Sequence, residues 1–522
     1  MSSIPTLDPA LVMPSDMVSL NALQLIYTGL VTLDDKLQPR GELAQSWDVS
    51  SDGLSLTFHL RLHLTFSDGT PLTSSDIAYS IDRALQPITK SPEAPIYLEP
   101  IRDSDKLLAG YVSSLLHTSL LTPDENTLII LLKRPSPSFL SMLTYPCSYV
   151  VEKHLLQTYP TNLPEHLMEG GTTGPFKVAQ YLPGKEIDFV PNSHYAGPQP
   201  QLQKIVFPFY TAEASAYNDY QRGKVDTTPV PLATFTNDRK RTDFHQVPQL
   251  WINYYTMNYL VPPFNNISIR QAFALAINKT EIANTVWKGT VYPTNHIMPE
   301  GMPGYNPNLT GPDGTKNLTG NAKRAQALLQ QGLREEKLAD VAQLPAIKLS
   351  YATGMSGTAQ EVTAMIGLWQ KVLGITVIPD PLAANTLLDQ VTLATGNAQG
   401  LQFWGMSWIA EYPDAQDWLT RQFDRGVANN NMNYGQNSSS DVTQQVNVQK
   451  VLEAADANPD AGSRIKNYQQ AEQSLINAVA WLPVEQVTST FLRKPTVVGI
   501  VDTAEGLIPP DDWANIYIGE AP

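Results

Sequence analysis

The sequence predicts a mixed α/β protein of more than one domain, and three observations lead to that prediction. The chain has 522 residues, whereas one hydrophobic core rarely serves more than roughly 250–300 residues. Apolar and polar residues alternate over residues 54–62, as in a half-buried strand, and a helical pattern follows. Over residues 347–380 the pattern strand, helix, strand is typical of a βαβ unit with parallel strands.

The composition limits the class of function. Apolar residues make up 42% and charged residues only 16%, and there are 41 prolines, which indicates a soluble protein rich in turns rather than a disordered one. A formal net charge of −15 and the lack of a dense basic run argue against a nucleic-acid partner. Cys147 is the single cysteine, so no intramolecular disulfide is possible, and we predict a buried thiol.

The sequence contains no candidate membrane span and no recognisable signal peptide. No stretch approaches the roughly 18 apolar residues needed to cross a bilayer. The opening residues, MSSIPTLDP, have neither a basic nor an apolar region of the kind found in export signals. Two alternatives remain at this point: the protein is cytosolic, or an export signal has been removed.

In the first third, the helix after the alternating strand has a defined start. Thr73 and Asp76 are spaced as a capping box. Its apolar residues fall on one helix face, namely Ile77, Ile81, Ala84 and Leu85. The glycine-rich segment 170–174 lacks the Gly-Lys-Ser/Thr ending of a phosphate-binding loop, so it predicts a turn before a strand that begins near residue 175.

The second half alternates helices with strands and loops. Two consecutive helices are predicted over residues 268–289, with Ser268 and Thr280 as N-caps and Gly289 as the residue after the second. The segment AKRAQALLQQGL predicts another helix that ends at Gly332, and the polar tract 429–441 predicts a loop.

Motifs spread over nearly the whole chain are similar, in order, to those of one protein family. They are GELAQSWDVSSDGLSLTFHLR and FSDGTPLTSSDIAYSIDRAL near the start, GPFKVAQYLPGKEIDFVPNSHYAG and MNYLVPPFNNISIRQAFALAINKTEIANTVWKG in the middle, then GMPGYNP, the helix at 322–333 and GMSWIAEYPDAQDWL. This series resembles the family 5 extracellular solute-binding proteins, which are the oligopeptide, dipeptide and nickel binding proteins of ABC importers.

The resemblance implies an architecture. It implies an α/β, periplasmic-binding-protein-like two-lobed fold of the class II type, with an extra inserted domain and a ligand cleft between the lobes. Lobe I would be discontinuous, over residues 1–39, 170–262 and 488–522. The inserted accessory domain would span 40–169 and lobe II 263–487. Two chain crossings would form the hinge on which the lobes close.

The resemblance also implies a ligand site. Peptide-binding relatives carry a Trp-x-Ala-Asp-Tyr motif whose acidic residue pairs with the peptide α-ammonium group, and Glu411 stands at that position here. The preceding strand would pair with the peptide main chain at alternate residues. The expected ligand-binding residues are Met13, Tyr254, Trp404, Gly405, Ser407, Trp408, Ile409, Glu411 and Asn433, with Asn430 as a weaker candidate.

The resemblance therefore predicts an extracytoplasmic binding component of an ABC importer, not an enzyme. It would capture di- and oligopeptides and deliver them to permease subunits. It would be monomeric, periplasmic or at the cell surface through a lipid anchor, with no cofactor, bound metal or nucleic acid. Oligosaccharides or a metal or haem complex are alternative ligands. The alternative of another class is a carboxylate-dependent hydrolase, because Glu411, Asp414 and Asp417 lie close together in one aromatic-rich segment.

Overall fold

A computed structural model describes residues 4–159, 163–354 and 357–520, and the chain divides into two compact units. Unit 1 comprises Met1–Val247 and Ser489–Pro522, and unit 2 comprises Pro248–Thr488. The chain passes between the units twice, each time within a long strand. The mixed α/β content and the two units confirm the predicted fold class. The finer division, with an inserted domain at 40–169, stays a prediction.

Unit 1 contains short strands and helices. Its strands are β1 (Val31–Leu33), β2 (Pro39–Gly41), β3 (Ala44–Val49), β4 (Ser55–Leu60), β5 (Leu120–Asp124), β6 (Thr127–Leu131), β7 (Phe176–Leu182), β8 (Glu186–Pro191), β9 (Ile205–Pro208), β10 (Thr227–Pro229), β17 (Val497–Val498) and β18 (Tyr517–Ile518). Its helices are α1 (Met17–Ile26), α2 (Ser74–Leu85), α3 (Ala94–Tyr97), α4 (Ser104–Leu108), α5 (Phe139–Met142), α6 (Lys153–Thr158), α7 (Leu163–His166), α8 (Glu213–Gln221) and α9 (Phe235–Asp238). Short 3₁₀ turns lie at Pro146–Ser148 and Pro510–Asn515.

Unit 2 has longer helices. Its strands are β11 (Phe244–Met257), β12 (Val291–Pro293), β13 (Ile347–Ala352), β14 (Val377–Leu382), β15 (Phe403–Ile409) and β16 (Leu482–Arg493), of which β11 and β16 extend into unit 1. Its helices are α10 (Ile267–Leu275), α11 (Lys279–Thr285), α12 (Ala322–Glu335), α13 (Thr358–Leu373), α14 (Ala384–Thr392), α15 (Ala415–Trp418), α16 (Thr420–Phe423), α17 (Val442–Asp456) and α18 (Ala461–Ala478). A 3₁₀ turn lies at Val341–Gln343.

The elements of unit 1 confirm the patterns in the first third of the sequence. Strands β3, β4, β6 and β5 form an antiparallel sheet in that order. Thr73 and Asp76 form the capping box of α2, and the four apolar residues of its predicted face are at most 2% exposed. Strand β7 follows the glycine-rich segment as predicted, and Cys147 is buried.

The sheet that contains the strands of unit 2 has the order β10, β16, β11, β15, β13, β14. Strand β10 pairs with the end of β16 that belongs to unit 1, and β12 pairs with the part of β16 in unit 2. The predicted βαβ unit is confirmed, since β13 and β14 are parallel and α13 connects them. Helix α13 buries Val362, Met365 and Trp369 completely, and it ends at Gly374, whose φ of 71° is a conformation that glycine adopts without strain. The predicted polar loop at 429–441 is confirmed.

Helix boundaries differ from the prediction at two places. The N-caps of α10 and α11 are Asn266 and Asn278, whose side chains accept from the backbone N–H three residues on. Ser268 and Thr280 are inside the helices, because an asparagine two residues earlier caps equally well. Helix α11 also ends earlier than predicted, at Thr285 rather than next to Gly289.

Gly332 does not end α12, which continues to Glu335. A Cβ at position 332 would lie 2.5 Å from Cγ1 of Ile269 on α10. The glycine therefore permits close packing of two helices rather than a helix stop. Across residues 4–159, 163–354 and 357–520, none of the helices has the length and apolar character of a membrane span.

Candidate functional site

Strand β15 is paired along its whole length on one side and only at its start on the other. It runs antiparallel to β11 from Met257↔Phe403 to Trp251↔Ile409. Its parallel ladder with β13 consists of Leu349↔Phe403 and Ser350↔Trp404. Beyond Trp404, the side of β15 that faces away from β11 has no strand partner within the part of the chain that the structure describes.

The hydrogen-bonding pattern between β15 and β11 shows which backbone groups of β15 point toward the side without a strand partner, called the open side below. The N–H of Ala410 donates to the carbonyl of Leu250 at 2.9 Å, so position 410 is bonded to β11. In an antiparallel ladder bonded and non-bonded residues alternate, which directs the N–H and C=O groups of Ser407 and Ile409 away from β11. These are two of the alternate positions expected to pair with a ligand, and their backbone groups are available for a further extended chain.

A cluster of three charged side chains stands where β15 ends. Oε2 of Glu411 lies 2.9 Å from Nη2 of Arg421, and Nε of Arg421 lies 3.8 Å from Oδ1 of Asp417. Oδ2 of Asp417 accepts from Nε1 of Trp408 and from the backbone N–H of Glu411, both at 3.1 Å. Asp417 thereby fixes the turn that places Glu411 directly after the strand.

The cluster is buried and carries one more negative than positive charge when its carboxylates are ionised. The Asp417 side chain is fully buried and that of Glu411 is 13% exposed. Burial raises the pKa of Glu411, and the Arg421 guanidinium opposes that rise. Burial, then the nearby Glu411 charge, holds the pKa of Asp417 well above its usual range. Two carboxylates share one guanidinium, so this arrangement favours an additional cation.

Aromatic side chains surround the same part of the sheet. The rings of Tyr254 and Trp481 stack with centroids 3.5 Å apart and an interplanar angle of 10°. A small cavity of about 50 Å³ lies on the face of β11 and β15 that carries the even-numbered residues. Its lining residues are Tyr254, Thr256, Val391, Trp404, Met406, Trp408, Gln422, Asn429, Asn431 and Met432. The structure thus places three aromatic residues that were expected to bind the ligand, Tyr254, Trp404 and Trp408, in the lining of one cavity.

Gly405 lies against a buried tyrosine. A Cβ at this position would lie 2.8 Å from Cε1 of Tyr255. The Tyr255 hydroxyl donates to Oε1 of Glu361 at 2.6 Å, which holds the ring in place. This packing gives a physical reason for glycine at position 405 and for the lack of a longer side chain there.

Met13 and Asn433 are not among the residues of the charged cluster or of the cavity lining. Met13 belongs to unit 1 and is 52% exposed. Asn433 is fully buried in the loop after α16; its Nδ2 donates to Asn258 and to the Ala394 carbonyl, and its Oδ1 accepts from the N–H of Gly396. These contacts give Asn433 a role in holding the loop, and its contact with a ligand stays a prediction. Asn430 is likewise fully buried, and its Nδ2 donates to three backbone carbonyls.

Arg421 was not predicted from the sequence, although a signal for it exists. It follows Asp417 by four residues, the spacing at which opposite charges meet on one helix face. The third carboxylate of the segment, Asp414, forms a two-pronged pair with Arg464 on α18 at 2.8 and 2.6 Å. The described residues contain no group of three or more His, Cys, Asp or Glu side chains suited to a metal ion.

Comparisons with known proteins identify a matching family and several relatives of this chain. The sequence model of the bacterial extracellular solute-binding proteins, family 5 middle region, matches residues 38–430. The probable deoxycholate-binding periplasmic protein YgiS of Escherichia coli K12 is 27% identical over 94% of this chain and 89% of its own length. The oligopeptide-binding protein OppA of Bacillus subtilis is 24% identical over 94% of this chain and 88% of its own.

A solved structure has the same fold. It is the unliganded open form of MppA, a periplasmic murein tripeptide binding protein, which superposes with a TM-score of 0.82 at 23% identity. The superposition covers 99% of this chain and 96% of that one.

Proposed function

The chain belongs to family 5 of the bacterial extracellular solute-binding proteins, and on that premise we propose that it binds peptides for an ABC importer. The peptide is held in extended form along the open side of β15, and its α-ammonium group is held at Glu411. Both contacts come from unit 2. Di- and oligopeptides are the proposed substrate class, as the names of the Bacillus subtilis relatives OppA and DppE indicate for those proteins.

The observation that carries this proposal is the position of an anionic cluster at the end of a strand with an unpaired side. Main-chain groups of Ser407 and Ile409 offer bonds that any peptide backbone can make, whatever its side chains. Glu411, two residues beyond Ile409, offers a negative charge that complements the α-ammonium group at the N-terminus of an unmodified peptide. An importer of mixed peptides needs this combination of uniform backbone contacts and one fixed charge.

The charge of the cluster favours a peptide over a bile acid as the ligand. The Escherichia coli relative is named as a probable deoxycholate-binding protein, and deoxycholate carries a carboxylate. When both carboxylates are ionised, Glu411 and Asp417 carry more negative charge than Arg421 carries positive charge, so a further anion placed there would be repelled. A cationic amine is attracted instead.

The proposed role is capture and delivery, without turnover of the ligand. Permease subunits in the membrane would receive the peptide, and the protein would act outside the cytoplasm, attached there by a lipid anchor. Each carboxylate of the segment 411–417 already has a cationic or N–H partner inside unit 2. That arrangement suits charge recognition better than the acid and nucleophile pair of a glycosidase.

Calorimetry with a set of N-methylated peptides tests the proposal. A tetrapeptide of mixed apolar and polar residues is compared with variants that carry one N-methyl group at each successive peptide nitrogen. Pairing with one side of β15 uses alternate N–H groups, so affinity should fall at every second position. Each loss should be about 1 kcal/mol or more, because one hydrogen bond is removed and a methyl group is introduced at the strand contact.

The outcome that contradicts the proposal is a loss without period-two alternation, or no binding of unmodified peptides at all. N-methylation at the non-paired positions serves as the matched control for the added volume. Steady hydrolysis of the peptides by pure protein would instead favour an enzyme.

A further inference from the structure

Resting on the peptide-binding function proposed above, we propose that Arg421 competes with the ligand amine for Glu411 and moves to Asp417 when the ligand binds. Arg421 and Asp417 are thus specificity-determining residues that set how strongly the site selects a cationic ligand. The contact geometry at the end of β15 carries this inference.

Arg421 stands between two carboxylates and lies closer to one of them. Its Nη2 lies 2.9 Å from Oε2 of Glu411, whereas its Nε lies 3.8 Å from Oδ1 of Asp417. The second distance is longer than the usual N···O distance of a hydrogen bond by about 1 Å. A small shift of the guanidinium would therefore exchange one carboxylate for the other.

Asp417 has an acceptor oxygen ready for this shift. Its Oδ2 is used by Trp408 and by the backbone N–H of Glu411, while Oδ1 is buried and accepts no hydrogen bond from any residue that the structure describes. A buried carboxylate oxygen without a donor is costly, and a donor that arrives is correspondingly favoured. Arg421 is the charged group placed to supply it.

The surroundings keep Asp417 fixed while Arg421 can move. Asp417 is fully buried and its backbone carbonyl accepts from Nε2 of Gln422, whereas the Arg421 side chain is 27% exposed. A long, partly exposed side chain changes rotamer easily. The two positions of Arg421 thus differ mainly in which carboxylate it neutralises.

Ligand binding would decide between the two positions. In the empty protein Arg421 neutralises Glu411. When an ammonium group arrives at Glu411, the two cations repel each other, and the guanidinium gains a hydrogen bond to Oδ1 of Asp417. The site then holds two carboxylates and two cations, with no net charge left buried. A ligand without a cation cannot drive this exchange, so the arrangement selects against neutral and anionic ligands.

The test measures binding of one tetrapeptide and its N-acetylated form by calorimetry to the wild type and three variants. Arg421→Gln removes the competitor, so the unmodified peptide should bind about tenfold or more tightly, with little change for the acetylated form. Asp417→Asn removes the second position, so the unmodified peptide should bind about tenfold more weakly. Arg464→Gln removes a neighbouring buried arginine that is paired with Asp414 and serves as the matched control; it should alter both peptides equally.

Thermal unfolding of each variant checks that it folds. A crystal structure of the wild type with peptide gives an independent readout. It should place Arg421 within about 3.2 Å of Asp417 Oδ1.

Arg421 still bonded to Glu411 in the complex, or equal losses for both peptides in Arg421→Gln, would overturn the exchange. Failure of the underlying function has a different signature, since wild-type protein would then bind the two peptides equally well.

Discussion

Replacing Glu411 by glutamine is expected to weaken the binding of an unmodified peptide sharply and that of its N-acetylated form only slightly. The Glu411 side chain is 13% exposed, and when both carboxylates are ionised the cluster with Asp417 and Arg421 has one excess negative charge. The substitution makes the cluster neutral and leaves a guanidinium facing the ligand amine. Removing one member of a buried ion pair typically costs about 3–5 kcal/mol. The residual Asp417 charge places the expected loss at the lower end, about 3 kcal/mol or roughly a hundredfold in Kd.

A thermodynamic double cycle measured by calorimetry isolates the contact between Glu411 and the amino group of the ligand. The four combinations of wild type or Glu411→Gln with amino-free or N-acetylated peptide are titrated at one pH and ionic strength. The two changes together should cost much less than the sum of the separate losses, because neither charge is then left buried and unpaired. Additive losses would refute the reasoning, since the ligand amine and Glu411 would then not meet. The thermal stability of the empty variant should change little, as Arg421 retains Asp417 as a neighbour.

Three further predictions follow from individual contacts. Gly405→Ala should lower the free energy of unfolding by about 1–3 kcal/mol in urea titrations, because its Cβ would lie 2.8 Å from the hydrogen-bonded ring of Tyr255; an unchanged midpoint would contradict this packing. Burial, with a smaller contribution from the Asp511 charge, raises the pKa of Glu42 to about 7, so its stabilising effect is complete below about pH 4 and is lost as the pH rises through 7. Glu42→Gln should therefore flatten the pH dependence of stability over that window, and parallel curves for the two proteins would refute it. Amidating the C-terminus of a four- or five-residue peptide should change its affinity by about 1 kcal/mol or less, since glycine at position 405 offers no cation; a larger loss in calorimetry would reveal a carboxylate clamp elsewhere.

Local sequence patterns determined much of the fold where a single physical signal dominates. The capping box at Thr73 and the apolar face behind it depend on neighbours within two turns, and the structure has both. The βαβ pattern over 347–380 was equally local. The prediction that a helix ends at Gly332 is wrong because this glycine packs against Ile269, more than sixty residues away in sequence. A local sequence pattern contains no information on such a distant packing contact.

The candidate site also combines features that the sequence predicts with features that it does not. The candidate residues at 404–411 are predicted from the resemblance of one contiguous motif to that of peptide-binding relatives. The unpaired side of β15 was not readable, because it depends on where the ladder with β13 stops at Ser350. Arg421 could have been found from its spacing to Asp417, but a four-residue spacing is common on helices and does not by itself indicate a site.

The two parts of the proposed site select ligands in different ways. Backbone groups at Ser407 and Ile409 would recognise an extended main chain whatever its side chains, so they would supply affinity without choosing among peptides. The cluster at Glu411 would recognise the charge of the ligand at one fixed distance beyond that strand, which would define where the ligand begins. Because Asp417 binds the backbone N–H of Glu411 and lies beside Arg421, it links the direction of the strand to the charge of the site. At the proposed site a ligand would have to satisfy geometry and charge together, and the free N-terminus of a peptide is the chemical group that does so.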